Sequence, residues 1–119
     1  MKIALNVALI LHLLAELLAA VALIFGPDGV SVAGRGDQWS MHYGFAALAV
    51  ASVSAWVWPY RNHLPTISVA LGVLVVFHTG VFISLTLAGD QQGGMILHGI
   101  LAPLFILLFV RRRIWCENA

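Results

Sequence analysis

Four apolar runs, each long enough to cross a lipid bilayer, take up most of this 119-residue chain. They cover residues 3–25, 39–58, 65–88 and about 92–112. A hydrocarbon core of roughly 30 Å is crossed by about 20 helical residues at 1.5 Å each. In lipid every backbone N–H and C=O must find its partner within the protein, and a single apolar run can do that only as a helix. Composition points the same way: 61% of residues are hydrophobic and 9% charged, where a soluble domain has about 25% charged residues. A water-soluble fold this small has too little interior to hide so much apolar surface. The expectation is an all-α polytopic membrane protein. One membrane domain would span residues 1–119, with four transmembrane helices in an up-down bundle, because short connectors join antiparallel neighbours.

Punctuation supports the four runs. The first stops at Gly26-Pro27-Asp28-Gly29, a strong turn signal. A cleaved signal peptide is the competing reading there, with Lys2 in front and Ala20-Val21-Ala22 as a cleavage-like site. The run is longer than the roughly 7–15 residues of a signal core, and it carries His12 and Glu16. A polar, glycine-rich loop follows over residues 26–38. The second run ends at Pro59, the third opens with Pro65 in its first turn, and the fourth runs from about Met95 to Arg111-Arg112-Arg113. Lys2, Arg61 and the three arginines fall on one side and only Arg35 on the other. The positive-inside rule then puts both termini in the cytoplasm of an inner-membrane protein. Trp56, Trp58, Tyr60 and Trp115 mark the inner interface, and Trp39 and Tyr43 the outer. Cys116 is the only cysteine, so there is no intrachain disulfide and no cysteine-based zinc site. In the cytoplasm it would stay a free thiol. A net charge of +1 gives no reason to expect nucleic acid. The expected partners are the bilayer and a second copy of the chain or a larger membrane complex.

Small residues show where helices can approach closely in lipid. Ala4, Ala8, His12, Ala15, Ala19 and Ala22 form one stripe of the first helix, and Glu16 adjoins it. That stripe is expected to face inward. The second helix has two such faces, His42-Ala46-Ala49 and Gly44-Ala47-Ala51-Ser54. In the third, Ser68, Gly72, Thr79 and Thr86 lie beside His78; in the fourth, His98, Ala102, Phe105 and Phe109 align. Pro103 removes the bond to the Gly99 carbonyl and favours a kink.

Apart from the arginines that end the fourth run, Glu16 is the only Asp, Glu, Lys or Arg within the apolar runs, and His12 stands four residues before it, on the same helical face. An ionisable group at that depth points to function. Four of the five histidines fall one per helix: His12, His42, His78 and His98. Counted at 1.5 Å per residue, Glu16 and His78 lie about 20 Å from the cytoplasmic side and His12 about 6 Å short of Glu16. His42 and His98 lie roughly 5–9 Å from the outer side. Three chemistries fit this set. Facing histidines can be axial ligands of haem b, His42 with His98 and His12 with His78, with Gly44, Gly80 and Gly99 making room. Imidazole with carboxylate can bind a transition metal. A buried carboxylate beside imidazoles can also relay protons, since both groups carry exchangeable ones. A plainer alternative is that the histidines only tie helices together by hydrogen bonds.

The lone carboxylate in Leu14-Ala15-Glu16 of a first helix, in a chain of four spans, is similar to the small multidrug resistance transporters. That resemblance implies a dimer exchanging protons at Glu16 for cationic drugs. The family's glycine-rich third-helix pattern and aromatic partner positions do not appear here. A first helix ending in Phe25-Gly26-Pro27, then a polar loop and three compact helices, also looks like DoxX-like bacterial membrane proteins. That resemblance implies quinone-linked redox chemistry. The leading expectation is a redox, electron-transfer or cofactor-binding membrane protein. His12, His42, His78 and His98 would be ligands to haem b, a quinone or a metal, and Glu16 the proton-handling catalytic group. The alternatives are a proton-coupled small-molecule transporter built on Glu16, and a non-catalytic membrane subunit or assembly factor. No nucleotide loop and no nucleophile motif is present, which argues against an ATP-driven pump or a hydrolase.

Overall fold

The computed structural model describes residues 2–25, 38–89 and 91–116. These residues are helical and contain no strand: α1 (Lys2–Phe25), α2 (Gln38–Val57), a 3₁₀ turn (Trp58–Tyr60), α3 (Leu64–Ala88), α4 (Gln92–Val110) and a short α5 (Arg112–Trp115). Four of them are long and apolar enough to cross a membrane: Ile3–Phe25, Ser40–Tyr60, Leu64–Ala88 and Gln92–Val110. Large apolar side chains stay on their outer surfaces, as with Val76 at 74% and Leu87 at 82% exposure. The turn expected at residues 26–29, the loop to residue 37 with Arg35, the Trp39 side chain and Asp90 lie outside the described residues. Contacts divide the chain into two compact units, residues 9–56 and residues 1–8 with 57–119.

The first unit packs α1 against α2. Its buried α1 residues are Leu9, His12, Glu16, Ala20 and Ile24; Leu5 and Ala8, also buried, belong to the second unit. This corrects the alanine stripe: Ala8 and His12 are on the buried line, Ala15 and Ala19 are half-buried, and Ala4 and Ala22 are exposed. From Ala8 to Ile24 the line steps by four, so it follows one ridge of the helix. Small size alone did not select it, because Ile24 sits on it and Ala4, Ala15, Ala19 and Ala22 do not. On α2 only one of the two small faces is buried, that of Gly44, Ala47, Ala51 and Ser54. His42, Ala46 and Ala49 are exposed. At Gly44 the helices approach closely: a Cβ there would stand 2.6 Å from Ile24 Cγ1 and 3.3 Å from the Ala20 carbonyl oxygen. Gly44 meets Ile24, and Val50 meets His12 further along, so α1 and α2 run antiparallel.

The second unit is built on the α3–α4 hairpin. Pro65 lies in the first turn of α3, where its missing N–H is not needed. Gly89 closes the helix in the left-handed region at φ 73°, a conformation that disfavours any side chain, and its N–H donates to the Leu85 carbonyl at 2.9 Å. Ile67, Ala70, Leu71, Leu74 and His78 of α3 are buried, as are His98, Leu101, Ala102, Phe105 and Leu108 of α4. Facing positions run in opposite directions along the chain: Gly72 with Phe109, Gly99 with Phe82, Gly94 with Leu85. The helix continues through Pro103 from Gln92 to Val110.

Glycine substitutions separate close packing from helix propensity. Alanine gains the same intrinsic helical preference over glycine at Gly44 and at Gly80, about 0.5–1 kcal/mol. At Gly80 a Cβ meets nothing within 4 Å, so Gly80→Ala is expected to raise the thermal midpoint of the detergent-purified protein. At Gly44 the new methyl collides with α1, and Gly44→Ala is expected to fall below Gly80→Ala by about 1–3 kcal/mol.

Candidate functional site

Each unit carries one buried polar centre. In the first, His12 and Glu16 lie one turn apart on the same face of α1, both with 0% exposure. The stretch Leu11-His12-Leu13-Leu14-Ala15-Glu16-Leu17 forms helix readily, and the four-residue spacing stacks the two side chains. A ring nitrogen of His12 and a carboxylate oxygen of Glu16 lie within 4.8 Å of each other. His12 Nε2 is 3.1 Å from the Val50 carbonyl oxygen on α2. A carbonyl only accepts, so Nε2–H donates. The neutral ring therefore carries its lone pair on Nδ1. One contact to the backbone fixes both the rotamer and the tautomer.

In the second unit His78 of α3 and His98 of α4 meet directly, Nδ1 to Nδ1, at 2.8 Å. One Nδ1–H donates and the other Nδ1 accepts, so the two rings hold different tautomers when both are neutral. Two nitrogens bound tetrahedrally to one zinc ion at about 2.0–2.1 Å would stand roughly 3.3 Å apart. The observed distance is that of a hydrogen bond. The ring of Phe105 stacks on His78 at 5.1 Å and 4° between planes, and Phe77 presents an edge to both imidazoles at 5.2 and 5.8 Å. His78 is 0% and His98 3% exposed. Nearby on α3 the buried Thr79 Oγ1 has no hydrogen-bond partner among the described residues.

The chemistry of such a pair follows from counting protons. Two neutral rings bring two ring protons, one of them in the N–H···N bond. A third proton can enter on the donor ring's Nε2 with the bond intact. A fourth would set two N–H groups against each other and break it. The pair can thus carry one extra proton, and only with that proton bound on Nε2 can the bridging proton pass from one Nδ1 to the other, the charge passing with it.

The structure groups the expected ligands differently from the depth count. His98 is bonded to His78, where the sequence paired it with His42. The counts leave His78 and His98 less than one helical turn apart in depth, about 5.4 Å, which two imidazoles can close. His42 is exposed on α2. Of the glycines near the histidines, a Cβ at Gly44 would meet Ile24 and Leu23 and one at Gly99 the Phe82 ring, while one at Gly80 meets nothing within 4 Å. Two partners escaped the sequence reading. Phe105 was aligned with His98 by helical spacing, but its stacking on His78 depends on the α3–α4 register. The Val50 carbonyl carries no sequence signal at all, because every residue has one. Compared with known proteins, the chain matches no family model, no curated protein and no solved structure.

Removing either ring of the pair orphans a buried nitrogen, at about 1–3 kcal/mol. His78→Ala and His98→Ala should each lower unfolding stability in detergent. The double variant should lose less than their sum, with a coupling of about 0.6–1.7 kcal/mol.

Proposed function

We propose that this is a four-helix integral membrane protein, an up-down bundle with cytoplasmic termini, that takes up and hands on protons inside the membrane. That act is the elementary step of proton-coupled transport of a small molecule. The observation that carries the reading is the buried N–H···N bond between His78 and His98, which accepts one further proton without breaking. Glu16 is the second proton-handling group. It is the one acidic side chain within the apolar helices, fully buried and within 4.8 Å of a His12 nitrogen. An intramembrane carboxylate is costly to retain unless it does something.

The test uses proteoliposomes loaded with a pH-sensitive dye and given a pH step. The parent protein should equilibrate the lumen faster than empty vesicles, and both Glu16→Gln and His98→Ala should slow it to the empty-vesicle rate. Infrared spectra should show a carboxyl band that changes with pH and vanishes in Glu16→Gln. Parent vesicles indistinguishable from empty ones, with no titrating Glu16 band, would sink the proposal.

A second reading, transition-metal binding, is favoured by the backbone bond that sets His12. Metal-ligating histidines characteristically donate one ring N–H to a carbonyl or carboxylate while the other nitrogen coordinates. His12 donates Nε2–H to Val50 and carries its neutral lone pair on Nδ1, with Glu16 as the neighbouring oxygen ligand. Imidazole suits zinc, copper, iron or nickel. On this reading the purified protein holds one such metal by elemental analysis and loses it in His12→Ala and in Glu16→Gln; metal-free parent protein from metal-replete cells excludes it.

A further inference from the structure

All described cationic side chains lie in the second unit and at one end of its hairpin. Arg61 stands just before α3, and Arg111, Arg112 and Arg113 follow α4. Cys116 Sγ, 4.0 Å from the Arg61 carbonyl oxygen, holds the two segments side by side. Among the described residues the only carboxylate is Glu16, buried in the middle of α1. In sequence, Glu117 can offset at most one of the four charges. This end of the unit therefore has cationic charge in want of an anion.

Two of the four arginines are held by the same device. The Arg61 guanidinium lies 4.8 Å from the centre of the Trp58 ring, and its Nη1 donates to the Trp58 carbonyl at 2.7 Å. The Arg112 guanidinium lies 4.5 Å from the centre of the Phe109 ring, and its Nη1 donates to the Phe109 carbonyl at 2.9 Å. Each arginine folds back onto the ring and the carbonyl of the residue three before it. A guanidinium has five N–H donors, and each of these bonds uses one. The freedom that a flexible arginine loses on gripping an anion is here already lost, so binding a phosphate costs less ordering. Arg111 and Arg113, in contrast, are exposed and carry no such tether.

The surroundings are amphipathic. Trp115 Nε1 donates to the Leu108 carbonyl at 3.0 Å, and Tyr60 is 60% exposed. Tryptophan and tyrosine favour the depth of lipid headgroups. One turn further into α4, Leu107 and Val110 expose 51% and 69% of their apolar surface. A ligand that fits this end has a phosphate for the two tethered forks and a hydrocarbon chain for the last turn of α4.

We propose that Arg61 and Arg112, seated on Trp58 and Phe109, form a binding site for the headgroup of an anionic phospholipid whose acyl chain lies on Val110. The proposal rests on reading these helices as membrane spans. It differs from general attraction between basic residues and an anionic leaflet, which weights four nearby arginines alike.

The experiment reconstitutes the full chain in vesicles of equal phosphatidylglycerol and phosphatidylcholine with matched acyl chains. Lipid retained on the protein is then counted by native mass spectrometry. The parent should retain phosphatidylglycerol in preference. Arg61→Gln and Arg112→Gln should each cut that preference about five-fold, while Arg113→Gln should change it by less than half as much. Equal losses at all three positions overturn the site in favour of a diffuse surface field, as does a parent with no preference. Displacement of the lipid by inorganic phosphate at stoichiometric amounts also overturns it, since the occupant would then be a free anion. Flotation of the same vesicles, washed at alkaline pH, separates the two layers of inference. Protein that does not float refutes the membrane reading itself, whereas protein that floats without lipid preference refutes only this site.

Discussion

A neutral imidazole has one nitrogen that must donate and one that must accept, and in an apolar interior both demands have to be met by the protein. That constraint organises the buried centres of this chain. His12 meets the first half of it with the Val50 carbonyl, and the bond ties α1 to α2 at a defined height. His78 and His98 each meet half of it with the other, which ties α3 to α4. Neither bond is strong by itself, since interhelical hydrogen bonds in membranes contribute about 0.6–2 kcal/mol. Their effect is on specificity: sliding either helix by one residue would leave a buried nitrogen without its partner. The apolar surface, alike all round, exerts no such control.

Close approach makes those bonds possible. Helices surrounded by lipid gain little from exchanging lipid contacts for one another, so their association depends on packing. At Gly44 the backbone of α2 comes against Ile24 and Leu23, and at Gly99 that of α4 receives the Phe82 ring. The imidazoles are short side chains and could not bridge helices held apart by leucines on both sides. Gly99, next to His98, therefore serves that polar centre indirectly, by setting the helix spacing. The same glycines, read as room for a bulky cofactor, point to a different protein. The difference lies entirely in what fills the space, and that depends on the relative register of two helices.

This explains how far the sequence could be read. The four helices were legible because length and hydropathy are properties of each run alone. The inward turn of His12 and Glu16 was legible too, since a four-residue spacing fixes a common face on any helix. The register between helices was not. The alanines of α1 suggest the right side of the helix but the wrong line along it, because Ala20 and Ile24 come against Gly44 of α2 while Ala4 and Ala22 are exposed. His98 was assigned to His42 on depth alone, yet one helical turn of depth is less than the combined reach of two side chains. The tethers of Arg61 and Arg112 lie between these cases. Both spacings, three residues back to an aromatic, stand in the sequence, but only the helix ends bring ring, carbonyl and guanidinium together.

The polar groups thus fall into two classes by what a second partner would have to offer. Arg61 and Arg112 are half-exposed at the helix ends, so their backbone tethers leave most of their donors for an exchangeable partner. His78 and His98 sit where nothing is at hand but protein, and each has been given the other. A proton is the one ligand small enough to join that pair without moving a helix, because it enters on a ring nitrogen and leaves the N–H···N bond standing. Phe105, parallel to His78 at 5.1 Å, is suited to that role in both states. It packs as an apolar neighbour against a neutral ring and offers the face of a π-system to a charged one. A larger ligand at the same place would have to displace Phe105 or separate the histidines, and either change would undo the contact that sets the α3–α4 register.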